Sequence, residues 1–373
     1  MICEKNQCTS CGLCVDICPI HCITLKPDEY GALKYCIDEQ KCIRCGKCAE
    51  ICPSNNECSW HKVINCYAGW AIDEVERVSS SSGGIAALLY RKILSEGGAI
   101  VGACFENGRF CLKLSDSVKD IALFKGSKYV HCDGKNIYTQ VKERIKSGQP
   151  VLFIGTPCQV GAIKQFIGDS QILYTVDLIC HGTSPQKYFQ EHFKPDEKRI
   201  VSVNFRDGGI IYRLKIEDAL HNIKMINGGF DEYYLSFIQG ITFNDCCYQC
   251  RYARIERVSD ITIGDFWGID KSFLQQENVN KISLVLSNTQ KGEQLLQNTP
   301  GLRLVVRSLQ EALPHNEQLR NPFKRSTDRI KFEQYYPKYG FDKSIHKLRV
   351  ERIRRKNIVM TVLSNILRKI RYR

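Results

Sequence analysis

Residues 8–19, CTSCGLCVDICP, recur after a shift of 34 residues as residues 42–53, CIRCGKCAEICP. Each copy carries four cysteines in the spacing C-x2-C-x2-C-x3-C followed by proline, and a glycine follows the second cysteine. Three thiolates spaced in this way wrap one face of a small inorganic cluster, glycine permits the tight turn between them, and proline directs the chain away. The repeat therefore predicts an N-terminal domain built around metal clusters.

This run is typical of bacterial ferredoxins with two 4Fe-4S clusters, in which the fourth cysteine of each copy binds the cluster of the other copy. We therefore assign one cluster to Cys8, Cys11, Cys14 and Cys52 and the other to Cys42, Cys45, Cys48 and Cys18. The alternative is a pair of structural zinc sites, which also use Cys-x2-Cys pairs. Zinc is disfavoured because eight cysteines in a duplicated pattern with trailing prolines fit cluster binding throughout.

The composition is that of a globular chain, since 43% of the 373 residues are hydrophobic and 25% are charged. No apolar stretch reaches the roughly 18 residues that a membrane-spanning helix needs. The N-terminal residues lack the basic and apolar segments of a secretory signal, so we expect a cytoplasmic protein. In that reducing compartment, metal binding is the default explanation of 21 cysteines.

The net charge of +13 is concentrated near the C-terminal end, where residues 344–373 hold ten lysines and arginines and one acidic residue. General nucleic-acid binding is therefore not expected. Residues 336–373 are predicted to form a basic amphipathic tail, in which apolar residues recur at helical spacing from Ile358 to Ile370. Two interpretations stand side by side: peripheral contact with the inner membrane face, or a helix packed on the body or on a partner.

Between these ends, strand-like apolar runs alternate with helical stretches. We predict strands at residues 98–105, 151–155, 172–179 and 261–264, and a helix at residues 85–95. The polar loop at residues 79–84 precedes this helix, and a helix N-terminus after such a loop suits a phosphate group. Serine runs are also typical of linkers, so the loop alone is a weak signal.

Four further cysteines stand next to turn signals in the body, and two of them follow predicted strands, which would bring them to one edge of a sheet. They are Cys158, Cys180, Cys247 and Cys250. Four thiols are enough for a third cluster. Alternatively, Cys158 and Cys180 are small buried side chains, and Cys246 competes with Cys247 as a ligand.

Six motifs in this order resemble the beta-subunit family of coenzyme F420 hydrogenase/dehydrogenase, in the bacterial form with a fused ferredoxin domain that is often associated with surface-polysaccharide gene clusters. They are the duplicated cysteine run, SSGG at 81–84, GSKYV at 126–130, GTPCQ at 155–159, CHG at 180–182 with the later Cys-x2-Cys pair, and DITIGDFWG at 260–268. The resemblance implies FAD near the sheet edge, with a 4Fe-4S cluster on the four body cysteines beside it.

Carried onto this sequence, the resemblance implies that Ser82, Gly83 and Gly84 contact the FAD pyrophosphate through backbone amides. It also implies that Ser127, Lys128 and Tyr129 lie near the flavin, with Lys128 supplying positive charge unless it is a solvated surface lysine. His181 either relays a proton or orients the surroundings of the cluster. Lys128 and His181 are thus the candidate catalytic residues.

We therefore expect an α/β (α+β) protein with a ferredoxin-like domain at residues 1–65, an FAD and 4Fe-4S domain at 66–335 and the basic tail at 336–373. Its expected function is oxidoreduction: single electrons pass between a ferredoxin-like carrier or partner redox enzyme and FAD. The flavin exchanges a hydride with an organic substrate, a reduced deazaflavin or a nicotinamide, with a role in polysaccharide biosynthesis. The alternative is an electron-transfer adaptor without its own substrate.

Overall fold

The structure is a computed structural model that describes residues 1–209, 212–274 and 279–371, with side chains described up to residue 361 in the last helix. In the N-terminal part, Gly12 and Gly46 adopt φ values of 88° and 76°, and Ser10 and Arg44 adopt 58° and 54°. The sequence repeat is therefore also a backbone repeat. The elements of this part are α1 (Leu13–Asp16), the hairpin of β1 (Ile23–Pro27) and β2 (Leu33–Ile37), and α2 (Lys47–Glu50).

The body is built on an eight-stranded mixed sheet and a small antiparallel sheet. Its strands are β3 (Asn65–Ala71), β4 (Ala99–Glu106), β5 (Arg109–Ser115), β6 (Val151–Gly155), β7 (Leu173–Leu178), β8 (Ile200–Asn204), β9 (Arg213–Asp218), β10 (Ile223–Asn227), β11 (Ile261–Asp265), β12 (Ser283–Ser287) and β13 (Leu302–Val306). The large sheet has the order β13-β3-β12-β11-β7-β6-β4-β5, and its four strands from β11 to β4 are parallel. The carboxyl ends of these four strands therefore share one edge.

Some helices of the body pack on the two faces of the large sheet, and others pack mainly on one another. They are α3 (Glu74–Ser79), α4 (Ile85–Ser95), α5 (Ile121–Phe124), α6 (Ile137–Lys146), α7 (Pro157–Ile167), α8 (Gln186–Phe193), α9 (Glu232–Ile238), α10 (Gln290–Gln297), α11 (Leu309–Ala312), α12 (Thr327–Ile345) and α13 (Arg349–Arg371). In α4, Ile85, Leu89 and Ile93 recur at helical spacing and are buried. The predicted helix at 85–95 and strand at 151–155 are confirmed to the residue, and the other predicted strands to within one residue at each end.

The N-terminal part is held directly against the body. The backbones of His61 and Arg257 form two hydrogen bonds of 2.8 and 2.9 Å, and the Arg251 guanidinium donates to the carbonyl oxygens of Pro53 and Asn56 at 3.0 and 2.9 Å. These contacts agree with the absence of a Pro-rich or Gly-rich linker in the sequence.

The predicted tail begins inside α12, because this helix crosses residue 336 and buries Phe341 and Ile345. The start of α13 also packs on the body through buried Val350, and the Asn357 side chain donates to the Gly229 carbonyl oxygen at 2.8 Å. The predicted apolar positions from residue 362 onward lie outside the described side chains. Among the described helices, none has the length and apolar character needed to cross a membrane.

Candidate functional site

The structure brings four N-terminal cysteines together on the side that faces the body, and we call them the inner set: Cys8, Cys11, Cys14 and Cys52. Burial, followed by the charges of Cys8 and Cys52, raises the pKa of the Cys11 thiol to about 12. Burial and the same neighbours also raise the pKa of Cys14. The structure thus has the fourth cysteine of the second copy beside the first three of the first copy, and the crossed cluster assignment stays a prediction.

The outer set consists of Cys18, Cys42, Cys45 and Cys48. The charges of Cys45 and Cys42 act with burial to raise the pKa of Cys48, so these three thiols are neighbours. Cys22 joins Cys18 to them, since its Sγ lies 3.5 Å from Cys18 Sγ and its thiol also contacts Cys42. Cys22 is thus an additional thiol beside the outer set.

Four body cysteines, the third set, meet at the carboxyl edge of the parallel strands: Cys158, Cys180, Cys247 and Cys250. β6 and β7 are parallel neighbours, so Cys158 in the first turn of α7 and Cys180 just after β7 emerge side by side. A 3-10 turn at 245–249 brings in the last pair. Burial, followed by the charges of the other three thiols, raises the pKa of Cys158. Cys246 contacts Cys247 and lies near Cys158, so the structure keeps it beside this set.

A buried ion pair lies beneath the third set. Arg257 and Asp177 have side chains that are 2% and 0% exposed, and their Nη2 and Oδ1 atoms are 3.1 Å apart. Arg257 also donates to the carbonyl oxygens of Tyr252 and Arg254 at 3.0 Å each. Burial raises the pKa of the Cys180 thiol, and the charge of Arg257 acts in the opposite direction and lowers it. A fixed positive charge next to a group of thiols favours their anionic, metal-binding form. This arginine is not among the site residues predicted from the sequence.

One cavity of about 760 Å³ adjoins the third set and is lined by Cys180. It reaches the first turn of α4 and the residue 126–130 motif, and its size is within the usual range of ligand pockets. Six of the seven residues assigned to flavin binding or catalysis line it: Ser82, Gly84, Ser127, Lys128, Tyr129 and His181. Residues that are up to about 100 positions apart in sequence therefore form one surface.

Gly84 caps α4 with φ 91°, which favours glycine, and the first amides of a helix have no partner within the helix. This first turn adjoins the cavity, since Ile85, Ala86 and Ala87 are among its lining residues. The assignment of Gly83 needs correction. Its amide donates to Ser283 Oγ at 2.9 Å, and a Cβ at this position would collide with the carbonyl oxygen of Gly69. Gly83 thus permits close backbone packing rather than contact with a phosphate.

Lys128 lies on the cavity wall, but its ammonium group is hydrogen-bonded to backbone carbonyl oxygens. Nζ donates to the carbonyl oxygens of Lys125 at 2.6 Å and Leu123 at 3.2 Å, and burial lowers its pKa to about 8. The ammonium group thus supports the loop in this structure, and its role in supplying charge to a ligand stays a prediction. Ser127 bonds to Ser81 at 3.1 Å, and the Tyr129 ring stacks on Phe237 at 4.5 Å.

His181 points into an aromatic part of the cavity, with its ring 4.9 Å from that of Phe323 and 5.6 Å from that of Phe243. Burial lowers its pKa, so the imidazole is neutral near pH 7. Arg206 also lines the cavity; it pairs with Asp265, and its buried Nε has no hydrogen-bond partner among the described residues. The end of the 260–268 motif could have indicated Asp265, whereas no local signal marks Arg206.

Two family models match separate parts of the chain. Residues 148–305 match the model for the C terminus of the coenzyme F420 hydrogenase/dehydrogenase beta subunit, and residues 7–56 match a 4Fe-4S dicluster domain. An uncharacterised protein of Methanocaldococcus jannaschii is 24% identical over 319 residues, which cover 72% of this chain and 82% of that protein. A chain of the F420-reducing [NiFe] hydrogenase complex from Methanosarcina barkeri aligns with a TM-score of 0.46 and 16% identity over 76% of this chain and 90% of its own.

The two family matches cover the cysteine repeat and most of the parallel strands whose ends carry the third set. They support an iron–sulfur electron-transfer function of the oxidoreductase type. Residues 148–305 therefore resemble the C-terminal region of the coenzyme F420 hydrogenase/dehydrogenase beta subunit, and residues 7–56 form a 4Fe-4S dicluster domain that precedes it.

Proposed function

We propose that the protein is an iron–sulfur flavoprotein oxidoreductase with three 4Fe-4S clusters, on the inner, outer and third sets, and FAD in the cavity. The observation that supports this proposal most strongly is that one cavity extends from Cys180 to the first turn of α4. A cofactor in that space would lie beside a candidate cluster at one end and beside the N-terminal turn of α4 at the other.

The residues of the cavity fit FAD. The first-turn amides of α4 and the helix dipole suit its phosphates, and Tyr129 with Phe237 provides flat apolar surface for a ring system. When bound, FAD exchanges a hydride with an organic compound and single electrons with iron–sulfur clusters. His181, as a neutral imidazole, would hold or accept a proton at the cavity surface, and the aromatic wall excludes water.

We propose an organic substrate of surface-polysaccharide biosynthesis, with a reduced deazaflavin or nicotinamide as the alternative hydride donor. This part of the proposal rests on the sequence resemblance alone. Peripheral membrane contact through the basic tail likewise stays a prediction, which binding to anionic vesicles at low salt would test.

The test is anaerobic purification with assays of iron, acid-labile sulfide and flavin released on denaturation. Three clusters predict about twelve irons per chain, and FAD should be recovered in a one-to-one ratio. Cys180→Ser should lose about four of these irons. Cys66→Ser is the matched control, because Cys66 is equally a free thiol but lies within β3 and outside the three sets. If reconstituted protein retains the irons and binds no flavin, the adaptor alternative replaces this proposal.

A further inference from the structure

The two copies of the cysteine motif share one backbone conformation but have opposite surroundings. A Cβ built on Gly12 would meet the backbone of Gly134 and Lys135 within 3.7 Å, whereas a Cβ on Gly46 would meet nothing within 4 Å. Cys45 is correspondingly exposed. The first copy therefore faces the body and the second faces solvent.

Specific hydrogen bonds hold the first copy in this orientation. The Tyr138 hydroxyl donates to the Cys11 carbonyl oxygen at 2.9 Å, and His131 Nε2 lies 3.0 Å from the Ser10 carbonyl oxygen. The Asp16 carboxylate accepts the backbone amide of Asn136 at 2.7 Å. The opposite orientation of the N-terminal part would break these hydrogen bonds. The fold therefore determines that the inner set faces the body and the outer set faces solvent.

This orientation places the three cysteine sets in a fixed order. The helix α1, which carries Cys14 of the inner set, contacts α2, which carries Cys48 of the outer set. The same helix also contacts α7, whose first turn carries Cys158 of the third set. The order from solvent inward is thus outer set, inner set, third set and cavity.

The solvent-facing loop at residues 43–47, which we call the docking loop, differs from its buried counterpart in side-chain character. Ile43, Arg44 and Lys47 occupy the positions held by Thr9, Ser10 and Leu13 in the first copy, and all three are exposed. Acidic residues flank the loop at 39 and 50, and the exposed Lys41 that precedes the loop is paired with Asp38 at 3.4 Å.

We propose that a one-electron carrier protein with an acidic surface around its own cofactor docks on this loop and exchanges electrons with the outer set. One electron leaves the reduced carrier and reduces the oxidised outer cluster, with no bond made or broken, and the reverse transfer uses the same contact. Arg44 and Lys47 attract the carrier, and Ile43 gives a small apolar contact beside the exposed Cys45. This inference rests on the clusters of the proposed function and not on its flavin or substrate.

The test uses the holoprotein and an acidic bacterial ferredoxin with two 4Fe-4S clusters as the probe. Arg44→Glu/Lys47→Glu should weaken ferredoxin binding and slow cluster reduction about 10- to 100-fold at low salt. Lys26→Glu/Lys62→Glu, which makes the same charge change at two exposed lysines outside the loop, should leave both unchanged. Binding is measured by anaerobic calorimetry and reduction by loss of visible cluster absorbance.

Dithionite reduces the clusters without docking on the loop. The extent of cluster reduction by dithionite should therefore be equal in all three proteins. The salt dependence of the ferredoxin rate should be steep in the wild type and nearly flat in the docking-loop variant. Equal ferredoxin rates in the wild type and this variant, or a wild type that ferredoxin does not reduce, would overturn the docking proposal. Absence of flavin would instead contradict the proposed function and leave these cluster readouts unaffected.

Discussion

Replacing Arg257 with methionine should destabilise the protein and selectively empty the third set. The Asp177 carboxylate, which is fully buried, would lose its ionic partner, and two carbonyl oxygens would lose a donor at 3.0 Å. Breaking a buried pair in this way costs about 3–5 kcal/mol, because a charge is left without compensation in a medium of low polarity. The variant should therefore unfold at clearly lower urea concentration and hold about four fewer irons per chain.

Two further variants separate the ion pair from general damage. Asp177→Leu/Arg257→Met removes both charges and should recover about 1–3 kcal/mol relative to the single variant, since no charge is then buried alone. Arg144→Met is the matched control: Arg144 pairs with Asp116 at 2.7 Å, but both side chains are well exposed. Loss of this exposed pair should lower the free energy of unfolding by less than about 1 kcal/mol.

Anaerobic urea titration followed by intrinsic fluorescence measures the free energy of unfolding, and an iron assay on the same samples measures cluster content. Equal unfolding of the Arg257 and Arg144 variants would contradict this prediction. A double variant less stable than the single one would also contradict it, because the energy would then not come from an uncompensated charge.

Other predictions concern the cavity wall and the contact of α8 with α12. Gly83→Ala should cost about 1–3 kcal/mol in thermal or urea unfolding, because the added methyl group meets a carbonyl oxygen of β3; unchanged stability would contradict this. Burial opposes protonation of His192, but hydrogen bonds to Asp231 and Asp342 outweigh it and raise its pKa to about 9. The stabilisation by protonated His192 is therefore complete below about pH 6.5 and lost as the pH rises through about 9. His192→Gln should flatten stability against pH in that interval, whereas substitution of the exposed His221 should not.

The cysteine repeat and the strands of the sheet were predictable because their signals are local. A spacing of two or three residues between cysteines determines a short turn, and a run of apolar residues determines a buried strand. The hydrogen-bond partners of Gly83 and Lys128 were not predictable in this way. The Gly83 amide donates to Ser283, two hundred residues away, and the Lys128 ammonium group donates to carbonyl oxygens at the end of α5.

The sequence by itself indicated that a cluster-bearing domain precedes an α/β body, since cysteine spacing and apolar runs are local signals, and the ferredoxin pattern predicted the inner and outer sets. Only the tertiary structure decided that the first copy is buried and the second exposed, although the cysteine spacing in the two copies is the same. It also decided that Cys158, Cys180, Cys247 and Cys250 meet beside a cavity. The physical reason is that parallel strands bring their carboxyl ends to one edge, so residues far apart in the chain become neighbours only when the sheet assembles.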